Sequence, residues 1–286
     1  MLRHIHGKAK DLGDGFHVLR ILPHVDARSI GPFVFVDHFG PAEIRTGDEL
    51  TVRPHPHIGL STITYLYDGA VRHRDSLGTE LVIRPGAVNW MTAGRGIVHS
   101  EHSVKEQLPS KIEGIQTWVA LPVEHEETAP TFEHYAPDVM PVIEGEQWKL
   151  RLIAGTLMGQ VSPVKTHSPL FYADLETTAE AIIELELPAG QEAALYVSRG
   201  SFTALGHTAQ VGSMLVLTGE TRLQLSSTSA ARAVLLGGEK FAEPRHLWWN
   251  FVATSKDRIE RAKTEWQANT MGIVAGETDR IPLPAN

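Results

Sequence analysis

The sequence predicts an all-β protein of two tandem β-rich domains, with one short helix near its C-terminus. Three observations predict this. Runs of about five apolar, aromatic and β-branched residues recur at short, even spacing, as the strands of a barrel or sandwich do. Glycine and proline, 25 and 17 residues respectively, punctuate those runs as turns. An acidic, proline-bearing stretch then interrupts the pattern, and a second β-rich run follows over 149–240. The expected division is an N-terminal domain over 1–122, an acidic linker over 123–148 and a C-terminal domain over 149–286.

In the first half, 16–22 and 32–39 read as strands, the second bracketed by Gly31-Pro32 and Gly40-Pro41. After a polar loop at 45–49, a His-x-His pair leads into a strand over 60–67. Asp68-Gly69 is a hairpin signal, so 71–75 is expected to return from it. Leu77-Gly78-Thr79 turns again before strands at 80–84 and 88–91, and 114–121 reads as a closing strand. In the second half the best strands are 181–187, 193–197, 213–217, 222–225 and 231–236. Their turns echo those of the first half, which suggests a similar architecture. The helix is expected at 255–267. Ser255 can cap it, Asp257 suits its positive end, and Ile259, Ala262 and Trp266 share a face. The tail from Gly276 is expected to be loosely held.

Composition excludes several function classes. There is no cysteine, hence no disulfide, thiolate zinc site, iron–sulfur cluster or cysteine nucleophile. Net charge is −8, and 123–148 holds seven acids with no lysine or arginine. No basic stripe offers itself to phosphates, so no direct nucleic-acid partner is expected. No run approaches the roughly 20 apolar residues of a membrane span, and the first residues lack the apolar core of a signal peptide. A cytoplasmic protein without membrane contact is expected.

The chemistry-bearing residues are two pairs, His55/His57 and His99/Glu101. Side chains at i and i+2 of a strand share a face. Two such pairs facing each other on neighbouring strands converge four donors on one point. Imidazoles with a carboxylate suit a divalent cation and leave coordination positions open for chemistry. Pro56 places its strand at an edge, and 92–96 reads as a tight loop delivering His99. Histidine is abundant here: ten of the 15 lie in the first 102 residues, so chance pairs are expected. His4/His6 reads as such a coincidence in a mobile N-terminus. His102 should face away from Glu101. His24, His38 and His73 default to structural or rim positions. Between 149 and 240 there are only His167 and His207, so that half is expected to be metal-free.

The segments His55-Pro56-His57-Ile58-Gly59 and Trp90-Met91-Thr92-Ala93-Gly94-Arg95-Gly96-Ile97-Val98-His99-Ser100-Glu101 resemble the signature of the pirin family, within the cupin superfamily. Phe35-Val36-Asp37-His38-Phe39-Gly40-Pro41 fits as well, and 247–251 resembles the bacterial members. The resemblance implies two cupin barrels, with metal in the N-terminal one. It implies His55, His57, His99 and Glu101 as ligands, and iron(II) first among metals, with manganese, nickel, copper, cobalt or zinc also suited. Some members are quercetin 2,3-dioxygenases. The implied substrates are then dioxygen and a flavonol, with Glu101 as the catalytic base and Trp90, Met91 and Phe33 lining the pocket. Other members regulate transcription or metabolic enzymes. The alternative implied is a metal- and redox-dependent regulator that binds a partner protein, with the acidic stretch as an available contact.

Overall fold

The computed structural model describes residues 2–12, 17–45, 50–104 and 110–285. Phe16 and loop residues 46–49 lie outside the described residues. The chain forms two compact units, each drawn from separated segments. One comprises Met1–Lys10, Leu19–His38 and Tyr135–Phe241; the other comprises Asp11–Val18, Phe39–His134 and Ala242–Asn286. The contiguous domains expected at 1–122 and 149–286 are therefore interleaved. Strand Arg3–His6 shows why. Only Ile5 of its four residues is buried, and it pairs antiparallel with Ser213–Leu217, Ile5 opposite Met214. The N-terminal residues thus cover a sheet edge of the later unit. His6 is part of that ladder, its Nδ1 3.0 Å from Ser213 Oγ, and is not in a mobile terminus.

The stretch 123–148 is built structure rather than bare linker. It holds 3-10 turns at Val123–His125 and Pro137–Val139 and strands at Thr131–Tyr135 and Val142–Gly145. Two of its acids are engaged within their own unit. Glu126 accepts from the Thr254 amide and hydroxyl, both at 2.9 Å, and Glu127 accepts from Arg258 and Arg261.

The unit containing 135–241 has two antiparallel sheets. The larger runs Arg3–His6, Ser213–Leu217, Glu192–Arg199, Ala231–Gly238, Leu170–Thr177, Trp148–Leu157 and Val142–Gly145, with Gln160–Val161 beside Trp148–Leu157. The smaller runs Ala181–Glu186, Arg222–Ser227, Ser201–Ala204 and His207–Gln210. Ala181–Glu186 alternates strictly between buried and exposed, the period of a half-buried strand. The inward set, with Ile183, Leu185, Leu195, Phe202, Leu215 and Leu235, forms one continuous apolar core.

The unit containing 39–134 has two larger sheets and a two-stranded one, His246–Trp248 with Phe251–Ala253. One of the larger sheets runs Thr51–His57, Ile97–Ser103, Val71–Asp75 and Glu80–Ile83. The other brings together Thr131–Tyr135, Val88–Thr92, Leu60–Asp68, Ser110–Ala120 and the part of Phe33–Ile44 from Phe39 on. Asp68-Gly69 is not the hairpin its sequence suggests, because Leu60–Asp68 and Val71–Asp75 lie in different sheets. Gly69 (φ +84°) makes the crossing there, and a Cβ would stand 2.2 Å from the Lys111 carbonyl oxygen. The hairpin is the next one, Val71–Asp75 with Glu80–Ile83.

The helix spans Lys256–Gln267, capped by Ser255, whose Oγ accepts from the Asp257 amide at 3.1 Å. Ile259, Ala262 and Trp266 pack with Ile58, Val98 and Phe251. The tail beyond it is held, contrary to expectation. The Ile281 amide donates to the Pro54 carbonyl at 2.9 Å, Trp266 Nε1 donates to the Ile281 carbonyl at 3.0 Å, and Arg53 pairs with Asp279 at 2.8 Å. Among the described residues, no helix is long and apolar enough to cross a membrane.

Candidate metal centre

The site begins at an edge strand. Thr51–His57 is the end member of its sheet, where Pro56 removes no ladder donor that a second neighbour would need. His55 and His57 both turn into the interior, 7% and 2% exposed. Loop 93–96 leads the next strand in. Gly94 (φ +51°) passes so close to Thr128 that a Cβ would lie 2.0 Å from its carbonyl oxygen. The Arg95 amide donates to that same oxygen at 3.0 Å. His99 then stands directly opposite His55 across the ladder. Past His99 the register against Thr51–His57 slips, and Glu101 pairs with Val52. Against Val71–Asp75 it stays regular, with His99 opposite Asp75 and Glu101 opposite His73. The bulge therefore lies in the edge strand, and His99 and Glu101 keep a common face.

Three of the four expected ligands form a close group. His55, His57 and His99 each offer a ring nitrogen, all within 4.8 Å of one another. His57 Nε2 and His99 Nε2 are 3.1 Å apart. His55 Nδ1 lies 2.9 Å from the Arg53 carbonyl oxygen; it must donate there, which leaves Nε2 with its lone pair. Burial pushes His57 and His99 well below the ordinary histidine value of 6.5, and their histidine neighbours add to the effect. His55 is lowered as well, again mainly by burial, with the Arg53 carbonyl and Glu101 opposing. Buried, neutral and convergent imidazoles are the donor set a divalent transition metal takes. The residues present fit such an ion.

Glu101 is placed differently. It is half-buried and is not a member of the close group. Its Oε1 lies 3.2 Å from Thr64 Oγ1, which is also 2.8 Å from Gln116 Oε1. Its charge still reaches His55, whose pKa it raises. His102 turns outward, its Nε2 2.8 Å from Glu277 Oε1.

The expected pocket residues separate. Met91 stands opposite Thr62 and Asn89 opposite Thr64, on the face that carries Thr64 toward Glu101. Trp90 stands opposite Ile63 and therefore points to the other side of the sheet. Adjacent strand residues cannot both line one pocket. Phe33 belongs to the other compact unit, where its ring packs 5.6 Å from Tyr172.

Sequence reasoning missed several neighbours. Trp118 meets His57 edge-on at 5.1 Å between ring centroids. Gln116 and Trp118 are an i, i+2 pair on a strand that was recognised, so their shared face was readable. His73 and Asp75 form a similar pair, 2% exposed each. His73 Nδ1 lies 3.4 Å from His99 Nδ1, and Phe132 stacks on the His73 ring at 4.5 Å.

Comparison with known proteins places this geometry in a family. The family model described as Pirin matches residues 15–119, and that described as Pirin C-terminal cupin domain matches 172–272. A pirin-like protein of Caulobacter vibrioides is 44% identical over 285 residues, 97% of each chain. The crystal structure of a quercetin 2,3-dioxygenase from Acinetobacter baumannii superposes with a TM-score of 0.94 at 34% identity. It covers 100% of this chain and 95% of that one. The bacterial pirin YhhW of Escherichia coli, in complex with nickel(II), shares the fold at a TM-score of 0.66 and 17% identity, over 84% of this chain and 100% of that one. With both halves matched in order and a bacterial relative aligned almost end to end, this two-cupin chain belongs to the pirin family.

Proposed function

We propose that the chain is a metal-dependent dioxygenase of the quercetin 2,3-dioxygenase type, cleaving the central ring of a flavonol. The observation that carries this reading is the buried trio His55, His57 and His99, with Glu101 on the same strand face held by Thr64. The trio would hold iron(II) or, with the same donors, manganese, nickel, copper, cobalt or zinc. A metal there supplies Lewis acidity and, where it is redox-active, access to dioxygen chemistry.

The chain's own residues supply the rest. Glu101 is proposed as the base that takes the 3-hydroxyl proton of the flavonol, and it would be the fourth ligand of the ion. Thr64 keeps one of its oxygens oriented, leaving the other for the proton. Trp118 and Met91 give apolar walls to a flat aromatic substrate, Trp118 standing against His57. The balance is one flavonol and one dioxygen giving a ring-opened ester and carbon monoxide. Both dioxygen atoms enter the products.

Under the regulatory alternative, Glu126 and Glu127 are engaged inside their own unit, which leaves Glu124, Asp138, Glu144 and Glu146 as the exposed acids of the stretch that a partner could meet. The dioxygenase reading is tested with metal-loaded protein and quercetin in air. The expected result is loss of quercetin absorbance with stoichiometric carbon monoxide, reduced about 10²–10⁴-fold in Glu101→Gln. Unchanged absorbance with every one of the six metals would overturn it.

A further inference from the structure

We infer that Asp75 and His73 are positioning residues for His99, a hydrogen-bond chain of fixed direction that sets which nitrogen His99 presents to the metal. The inference rests on the reading of His99 as a ligand. Its observations are independent of that reading.

The chain starts in the hairpin loop. Asp75 Oδ1 accepts from the Leu77 amide at 2.9 Å and the Thr79 amide at 3.0 Å. Two backbone N–H groups can only donate, so the carboxylate is pinned as an acceptor. Asp75 Oδ2 lies 3.2 Å from His73 Nε2. That nitrogen must therefore carry the His73 proton. With its single N–H on Nε2, the neutral form of His73 leaves Nδ1 as an acceptor. It faces His99 Nδ1 at 3.4 Å. For that contact to be a hydrogen bond, His99 must donate from Nδ1. Its Nε2 is then a bare lone pair, and this is the atom that faces His57 Nε2 at 3.1 Å. Phe132, stacked on His73 with 30° between the ring planes, holds the relay ring in register.

His55 reaches the same tautomer by a shorter route, donating Nδ1–H to the Arg53 carbonyl. At His99 Nδ1 the imidazole of His73 takes the place that the Arg53 carbonyl holds at His55. Partners of this kind fix a ligand's tautomer and ring orientation, and their loss commonly weakens metal affinity 10–100-fold.

Asp75→Asn tests the direction of the chain. The amide oxygen can still accept from Leu77 and Thr79, but the amide nitrogen now donates toward His73. His73 must then accept at Nε2 and carry its proton on Nδ1. His99 is forced to accept at Nδ1 and to carry its own proton on Nε2, where the lone pair was. In metal-free protein, ¹⁵N NMR of the imidazoles should show His99 as the Nδ1–H tautomer in the wild type and as Nε2–H in Asp75→Asn. Nickel(II) affinity, measured by competition with a chelator, should fall about 10–100-fold in the variant. His73→Phe keeps the loop bonds of Asp75 and the stacking on Phe132 while deleting the relay. It should also lose nickel affinity, and His99 should become a mixture of tautomers. Unchanged His99 tautomer in both variants, or unchanged affinity in both, would overturn the proposal. Wild-type protein that shows the Nδ1–H tautomer but takes up no nickel would sink the metal reading and leave the relay standing.

Discussion

His57 Nε2 and His99 Nε2 stand 3.1 Å apart, on the two strands that close one side of the buried cluster. With both rings held neutral by burial, such a pair shares either one proton or one cation. A cation is favoured by the third nitrogen, from His55, within 4.8 Å. Alanine at His55, His57 or His99 should each weaken divalent metal binding more than about 100-fold, beyond the range of outer-shell changes. Calorimetric titration of the metal-stripped variants checks this.

The same depressed values link metal-free stability to pH. The folded-state pKa of each of the three lies below the 6.5 of the unfolded chain. The unfolded state therefore binds more protons once pH drops below about 6.5. The sign is that stability is fully present above that value and is lost as pH falls toward the folded pKa values. Thermal melting of metal-free protein at stepped pH should show a midpoint that is flat near pH 8 and declines below 6.5. Saturating metal should raise the midpoint but leave the decline in place, since coordinated nitrogens take up none of the protons that the unfolded chain still binds.

Thr64 supplies a second kinetic test. Its hydroxyl reaches Glu101 from the facing sheet, and valine would remove it at nearly constant volume. Thr64→Val should lower flavonol turnover roughly 10-fold, the loss of one hydrogen bond to a charged group. Metal content should stay unchanged. A variant with full turnover would remove Thr64 from the account of Glu101.

Arg258 ties the loop that delivers His99 to the C-terminal helix. It is 9% exposed, donates to the Arg95 carbonyl at 2.6 Å, and pairs with Glu127 and Glu265. Arg258→Ala removes the side chain that meets the Arg95 carbonyl and leaves Glu127 and Glu265 to Arg261. The cost should be about 2–3 kcal/mol, read as a lowered denaturant midpoint, with a lower metal affinity as the loop relaxes.

Much of this arrangement was legible in the sequence because period-2 alternation survives in strands. His55/His57 and His99/Glu101 share faces as their spacing demands, and Ser255, Ile259, Ala262 and Trp266 behave as helix chemistry dictates. What was lost followed from pairing between distant segments. Nothing local to Arg3–His6 says that it covers Ser213–Leu217. Nothing local to Asp68-Gly69 says that it crosses between sheets instead of turning back. Trp90 and Met91 were a different error: neighbouring strand residues point apart, and the rule that found the ligands excludes one of them from the pocket. The His73/Asp75 pair obeys the same rule, but lying outside the motif it carries no sequence signal of a ligand neighbour, and His73 reads there as a structural or rim residue.

The most direct test of the account is equilibrium titration of chelator-stripped protein with nickel(II) and iron(II), followed by X-ray absorption of the loaded form. The account predicts one saturable metal per chain, a coordination sphere containing three imidazoles, and loss of both in His57→Ala/His99→Ala. Absent saturable uptake, or uptake that persists in the double variant, would contradict it.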